Sequence, residues 1–211
     1  MNLLDPTIYL VDDDRSVLKA LSRLLRVTGF DNVITYDSPR RFIQQCNPAL
    51  HGCIVMDVAM PDLNGLELQE ALAAKGAALP IIFLTGRGDI PMSVRALKRG
   101  AIDFLTKPVQ QDQLASAVRT AIARDREQRQ ARAEANEILR RLATLTPREY
   151  QVLERVVAGR LNKQAAFDLG ISEKTIKVHR ARMMEKMQVQ SLAELVQLTE
   201  RAGVGSSGAV A

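Results

Sequence analysis

Five short, mostly apolar runs divide the first 124 residues: Ile8–Val11, Val33–Tyr36, Cys53–Met56, Ile81–Leu84 and Ile102–Leu105. No other feature constrains the fold as strongly. Each run is the length of a strand, and near-continuous apolar character marks strands buried on both faces. Helix-like stretches lie between them, at 16–27, 38–45, 65–75 and 91–99, with another from Gln110 onward. In the first of these, Val17, Leu18, Leu21, Leu24 and Leu25 fall at helical spacing behind Asp14, a natural N-cap. Strands alternating with helices predict a doubly wound α/β domain around a five-stranded parallel sheet.

Ligands of such sheets sit in the crevice at the carboxyl ends of the strands. The first run ends in Asp12 and Asp13, the third runs into Asp57, the fourth ends in Thr85 and the fifth in Lys107. A solvated turn explains any one of these residues. It does not explain three carboxylates, a hydroxyl and an ammonium on one edge. Neighbouring carboxylates repel unless a cation offsets them, and Mg2+ or Mn2+, hard cations taking carboxylate oxygens, suit the group. Asp57 is then a plausible nucleophile towards phosphorus. Thr85 can donate to a phosphoryl oxygen, and Lys107 can supply the opposite charge. The turn-forming loop Met60-Pro61-Asp62-Leu63-Asn64-Gly65 leaves the third strand beside this group.

The stretches LVDDD, MDVAMPDLNGLEL and IIFLTGRGDIPMSVRALKRGAIDFLTKP resemble a response-regulator receiver domain, the CheY-like fold, and within it the FixJ type. The resemblance covers about residues 6–124. It implies that Asp57 is the phosphoacceptor. It also implies that Asp13 ligates magnesium directly and Asp12 largely through water, with Asp57 and the main-chain carbonyl of Ala59 as further ligands. Thr85 and Phe104 match the family's switch pair, Lys107 its phosphate-pairing lysine, and Pro108 a position that usually follows a cis peptide. A magnesium phosphatase with an aspartyl nucleophile is the rival reading. It needs a second acid two residues after the nucleophile, where this chain has Ala59, which cannot transfer a proton. The chain is therefore not read as an enzyme.

Composition narrows the remainder. Apolar residues make up 46% of the chain, an ordinary globular share. No apolar run approaches the ~18 residues of a membrane span, and the acidic N-terminus does not read as a signal peptide, so a cytoplasmic protein without membrane association is expected. Cys46 and Cys53, with His51 between them, match no zinc spacing and read as reduced thiols. The net charge of +5 is uneven: residues 1–124 hold 14 Lys/Arg against 13 Asp/Glu, and residues 125–211 hold 15 against 11. The basic excess thus lies in the C-terminal part.

Residues 110–145 lack proline and glycine and are rich in Ala, Arg, Gln and Glu, a helix-favouring composition. They predict a last helix of the α/β domain that continues as a helical linker over 125–143. Beyond it, Thr146-Pro147-Arg148-Glu149 is a helix start, with a cap, proline at the first position and glutamate three after the cap. Val152, Leu153, Val156 and Val157 form its buried face and Gly159 its stop. Lys163–Leu169 reads as a second helix ended by Gly170, Ser172–Met187 as a third, and Ser191–Leu198 as a fourth. Two helices joined by a short turn, the second basic, are a helix-turn-helix. On the third helix Ile176, Met183 and Met187 point inward. Lys177, Val178 and Ala181 can reach base edges. Lys163, Lys174, Thr175, Arg182 and Lys186 suit phosphates. His179, alone on its helix, reads as structural or phosphate-contacting.

The segment LTPREYQVL…AGRLNKQAA…LGISEKTIKVHRARMMEKM resembles the LuxR-type DNA-binding domain. That resemblance implies that Ser172–Met187 is the recognition helix and Ser191–Thr199 a dimerisation helix. Together the readings predict a receiver domain over 1–124, the linker, an all-α DNA-binding domain over 144–202 and a disordered tail over 203–211. The implied protein is a transcription factor. A sensor histidine kinase phosphorylates Asp57, a homodimer forms on promoter DNA, and RNA polymerase is the downstream partner.

Overall fold

A computed structural model describes residues 6–86 and 100–203. The helix expected over 91–99 and the tail beyond Gly203 lie outside the described residues. The chain forms two compact units, Met1–Gln128 and Arg129–Ala211.

In the first unit the strands are β1 (Thr7–Val11), β2 (Val33–Tyr36), β3 (Gly52–Asp57), β4 (Ile81–Thr85) and β5 (Asp103–Thr106). They form one sheet in the order β2-β1-β3-β4-β5, with every pairing parallel. The chain moves outward from β1 to β2, then crosses back to β3 on the other side of β1. The sheet therefore reverses its winding between β1 and β3, and a crevice opens there at the carboxyl ends.

Side chains alternate across the sheet, as the strand period requires. Tyr9 and Val11 face one layer with Phe42 of α2 (Pro39–Gln45) and Leu68 and Leu72 of α3 (Gly65–Ala74). Ile8 and Leu10 face the other, with Leu18, Leu21 and Leu25 of α1 (Arg15–Val27) and Leu114 and Val118 of α4 (Gln111–Leu142). Both layers are packed, which explains why the strands read as continuous apolar runs. Four strands differ from their apolar runs at an end: β1 begins one residue earlier, at Thr7, and β4 ends one later, at Thr85. β3 extends to Gly52 and Asp57, because pairing with β1 continues to Thr7↔Gly52 and pairing with β4 to Asp57↔Leu84. β5 is shifted by one residue, so Phe104 lies opposite Phe83 and Thr106 opposite Thr85.

In the second unit Ile138 and Leu142, near the end of α4, join a core with Val152, Leu153 and Val156 of α5 (Pro147–Val157), Ala165 and Ala166 of α6 (Asn162–Leu169), Ile176, Met183 and Met187 of α7 (Glu173–Met187) and Leu195 of α8 (Leu192–Arg201). Side-chain caps define the starts of three helices: Thr146 with Glu149 for α5, Ser172 for α7 and Ser191 for α8.

Gly52 shows how tightly β3 is seated. Its φ is +114°, and a Cβ there would meet the Thr7 carbonyl oxygen at 1.9 Å. Its N–H donates to Asp125 Oδ2 at 2.9 Å, and that carboxylate is buried. Gly52→Ala therefore combines an unfavourable backbone conformation with overlap in a packed edge of the sheet. It is expected to cost at least about 2 kcal/mol of stability. Urea unfolding of the full chain measures this, and a cost below ~0.5 kcal/mol would contradict the described packing.

Candidate functional site: an acidic centre and a basic helix

The acidic centre is assembled by main-chain geometry. β1 ends at Val11, and Asp12 N donates to the Tyr36 carbonyl at 3.1 Å, which carries the strand's direction one residue further. Asp14 caps α1, its Oδ1 accepting from Ser16 N at 2.7 Å, while its own N–H donates to Asp12 Oδ1 at 2.9 Å. Asp12 is thus turned back towards the sheet and is only 2% exposed, whereas Asp13 faces outward. Asp57 ends β3 and is also buried, with Oδ1 accepting from Ala59 N at 3.2 Å.

Lys107 enters from the end of β5, where its N–H donates to the Thr85 carbonyl at 2.7 Å. Its Nζ lies 2.7 Å from Asp12 Oδ2 and 2.8 Å from Asp57 Oδ2, so one ammonium is shared by two buried carboxylates. Burial pushes the Asp12 carboxyl above the ordinary aspartate range, and the hydrogen bond from Lys107 works against that shift. For Lys107 burial acts to lower the value, but the bonds to Asp12 and Asp57 together outweigh it and hold the ammonium more tightly protonated than an ordinary lysine.

Asp12, Asp13 and Asp57 each offer an oxygen within 4.8 Å of the others. Three hard, anionic donors at that spacing are compatible with Mg2+. Among the described residues no other such group meets. Cys46 and Cys53 are free and buried. Burial, with Asp125 as a lesser contributor, pushes the Cys53 thiol up to about 12 and leaves it unreactive.

Thr85 is buried at the end of β4, in register with Thr106. Phe104 is half-buried, its ring 6.2 Å from that of Phe83. The Lys107–Pro108 peptide is cis. Ala59 is exposed in the loop following Asp57.

In the second unit α7 divides cleanly. Ile176, Met183 and Met187 are fully buried, whereas Lys174, Lys177, Ala181 and Arg182 are exposed and Val178 is 44% exposed. Lys163 is exposed on α6, and Thr175 is half-buried, its N–H donating to the Ser172 cap at 3.1 Å. Arg180 Nη1 donates to Asn162 Oδ1 at 2.9 Å, tying α7 to α6.

Two residues differ from their sequence reading. Lys186, expected at a phosphate, is half-buried, and its Nζ lies 2.6 Å from Glu149 Oε2 and 3.1 Å from the Thr144 carbonyl. Its charge is committed within the unit because Glu149 is nearly inaccessible and needs a counter-charge. Asp125, expected in the solvated linker, is the buried partner of Gly52 already described. No local spacing signals either contact, since each joins residues far apart in the chain.

Known proteins carry the same two parts. Residues 8–119 match the family model described as response regulator receiver domain, and residues 143–199 match that of bacterial regulatory proteins of the luxR family. The response regulator protein TmoT of Ectopseudomonas mendocina is 45% identical, over 95% of this chain and 91% of its own. The chain belongs to the response regulators. The transcriptional regulatory protein FixJ of Bradyrhizobium diazoefficiens is 42% identical to the regulator, over 93% of this chain and 96% of its own. A solved structure of the response regulator StyR superimposes with a TM-score of 0.82 at 46% identity, covering 93% of this chain and 99% of StyR. The regulator thus joins a receiver to a LuxR-type DNA-binding domain, as transcriptional regulators of two-component systems do. No helix among the described residues is long and apolar enough to cross a membrane.

The Glu149–Lys186 pair makes a testable difference to stability. The Lys186 ammonium, with the Thr146 N–H bond next, holds the Glu149 carboxyl down at about 2, against an ordinary value of 4.5. A folded value below the unfolded one means that the contribution is complete above about pH 4.5 and is lost as pH falls towards 2. Glu149→Gln should therefore be less stable than the parent at pH 7, and the gap should narrow steadily below that range. Urea unfolding of both proteins across pH 3–7 checks this, and a gap independent of pH would show that the pair is not what Glu149 contributes.

Proposed function

We propose that Asp57 accepts a phosphoryl group from a sensor histidine kinase and that the added charge switches the regulator to a promoter-binding homodimer. The observation that carries this reading is the Lys107 ammonium shared between buried Asp12 and Asp57, with Asp13 within ligand distance. In transfer, a carboxylate oxygen of Asp57 forms the new O–P bond while the P–N bond of the donor phosphohistidine breaks, and the departing imidazole keeps the electron pair. Asp13, Asp57 and the Ala59 main-chain carbonyl, with Asp12 through water, would hold Mg2+ (or Mn2+), which offsets the negative charge gathered between carboxylate and phosphoryl oxygens.

A phosphoryl group brings more negative charge than the carboxylate it modifies, roughly −2 in total. Lys107, until then divided between two single charges, turns to the phosphoryl oxygens. Thr85 donates its hydroxyl to another of them, and Phe104 moves from its half-buried position to fill the space behind Thr85. The surface around β5 and the neighbouring helices then changes shape, and a dimer follows. Residues 1–124 act as receiver, 125–143 as the helical link and 144–202 as the DNA-binding domain.

On DNA, α7 is the recognition helix and α8 the dimerisation helix. Lys177, Val178 and Ala181 face base edges, and Lys163, Lys174, Thr175 and Arg182 face phosphates. Lys186 is left out of that set because Glu149 holds it. The dimer works in the cytoplasm, where it recruits RNA polymerase. Ala59, two residues past Asp57, offers no proton for turnover as a phosphatase.

Two measurements test the two halves of this reading. Incubated with acetyl phosphate and Mg2+, the full chain should gain the mass of one phosphoryl group, and Asp57→Asn should gain none, since the amide keeps the shape and loses the nucleophile. Labelling of the variant would remove Asp57 from the mechanism. On DNA, Lys177→Ala should weaken binding to the cognate site by about 1–3 kcal/mol and to random duplex hardly at all. Equal losses on both would reduce Lys177 to a phosphate contact.

A further inference from the structure

A groove of about 860 Å3 runs between α1 and β2, and none of Asp12, Asp13, Asp57, Thr85 or Lys107 lines it. One wall is a stripe of Arg15, Lys19, Arg23 and Arg26, all exposed, on a helix that contains no acidic residue. Like charges at this spacing disfavour a helix, and a cation in the first turn opposes the helix dipole. Asp37 holds Arg15 at 2.6 Å and Arg41 at 3.2 Å. Among the described residues no carboxylate pairs with Lys19, Arg23 or Arg26. The stripe therefore opposes helix formation, and most of its charge is unmatched.

The floor is different in kind. Val33 and Thr35 lie opposite Ile8 and Leu10, so they face the α1 side of the sheet, beside Leu18. β2 is the edge strand, paired on one side only among the described residues. Ser22 Oγ lines the groove and is buried without a hydrogen-bond partner.

The geometry points to a docking site for an extended acidic peptide of a partner protein, its acidic side chains alternating with small apolar ones and its backbone lying along β2. Arg15, Lys19 and Arg23 on α1 are spaced by about 6 Å, the rise of four helical residues. Alternate side chains of a strand repeat at about 6.6 Å, so acidic residues at every second position stay in step with the stripe. On a strand added to β2 the intervening side chains turn to the opposite face of the sheet, beside Ile34, which is 38% exposed, and the free edge of β2 offers main-chain donors and acceptors, as in strand addition. Nucleic acid fits less well: a phosphate backbone has no use for the apolar floor, and residues 1–124 carry 14 Lys/Arg against 13 Asp/Glu.

The test uses the full chain and a fluorescein-labelled seven-residue peptide alternating glutamate with valine and threonine, followed by anisotropy. The parent should bind it, less tightly as salt is raised. Lys19→Gln with Arg23→Gln should weaken binding about tenfold or more, with unchanged thermal unfolding by circular dichroism. A peptide of the same composition with its glutamates in one block should also bind markedly less well. Should the double variant unfold, Arg26→Gln carries the same comparison. The proposal fails if the parent ignores the alternating peptide, if the variants bind it equally well, or if the block peptide binds as tightly. It also fails if the stripe instead governs the salt dependence of binding to random duplex DNA. Because nothing in the assay involves Asp57, failure here leaves the phosphorylation reading intact.

Discussion

Two buried carboxylates sharing one ammonium is the interaction on which the first unit depends. Asp12 follows β1, Asp57 ends β3 and Lys107 follows β5, so the three charges come from strands that are adjacent or nearly so only because the sheet is ordered β2-β1-β3-β4-β5. Without the topological reversal between β1 and β3, the two carboxylates would not meet. Without Lys107 they would repel in a poorly solvated crevice. With Asp13 beside them the centre gathers three carboxylates against one ammonium, and it is short of positive charge. Such a centre is poised to respond to charge. A shared counter-ion must redistribute when one of its partners changes, whereas a counter-ion bound to a single carboxylate has less reason to move.

The second unit uses a comparable economy of groups at Glu149. Its carboxylate closes the capping box of α5 through Thr146 N at 2.9 Å, and the same oxygen accepts from Lys186 near the end of α7. Arg141, on α4, donates to the Met187 carbonyl at 3.2 Å and so satisfies one of the open acceptors at the C-terminal end of α7. At the other end Ser172 caps the first turn, and midway Arg180 reaches Asn162. α7 is thus held on one side by bonds to α4, α5 and α6. Lys174, Lys177, Val178 and Ala181 are presented on the other by a support that does not depend on DNA to form.

Much of this was legible in the sequence, for a physical reason. Strand burial, helix periodicity and caps are local properties: the apolar runs located all five strands, and Asp14, Thr146 with Glu149, Ser172 and Ser191 marked helix starts where the structure has them. The convergence of Asp12, Asp13, Asp57 and Lys107 was legible too, because parallel strands put their carboxyl ends on one edge whatever the details. What escaped were contacts that join distant residues with no local signature. The partnership of Lys186 with Glu149 spans 37 residues, and that of Asp125 with Gly52 spans 73. In each, a charged residue that looks solvated by its neighbours is held inside. The one-residue shift of β5 has the same origin, since register is decided by the strand beside it and not by the apolar run itself.

The segment after Asp57 shows how packing alone can orient a carboxylate. Val58 N donates to the Leu84 carbonyl, and Gly65 N donates back to the Val58 carbonyl at 3.0 Å, closing the loop on itself. A Cβ at Gly65 would lie 2.6 Å from the Asp57 carbonyl oxygen and 2.9 Å from the Phe83 ring, so only glycine lets α3 begin this close to the strand end. One residue earlier, Asn64 and Glu67 exchange capping bonds at 3.0 and 2.9 Å and fix the direction of the helix. The loop is therefore clamped at its start by the sheet and at its end by a glycine and a cap. Its few free residues leave the Ala59 N–H aimed at Asp57 Oδ1. With Lys107 on Oδ2, each oxygen of the carboxylate has its own fixed donor, and the side chain is oriented by the fold itself.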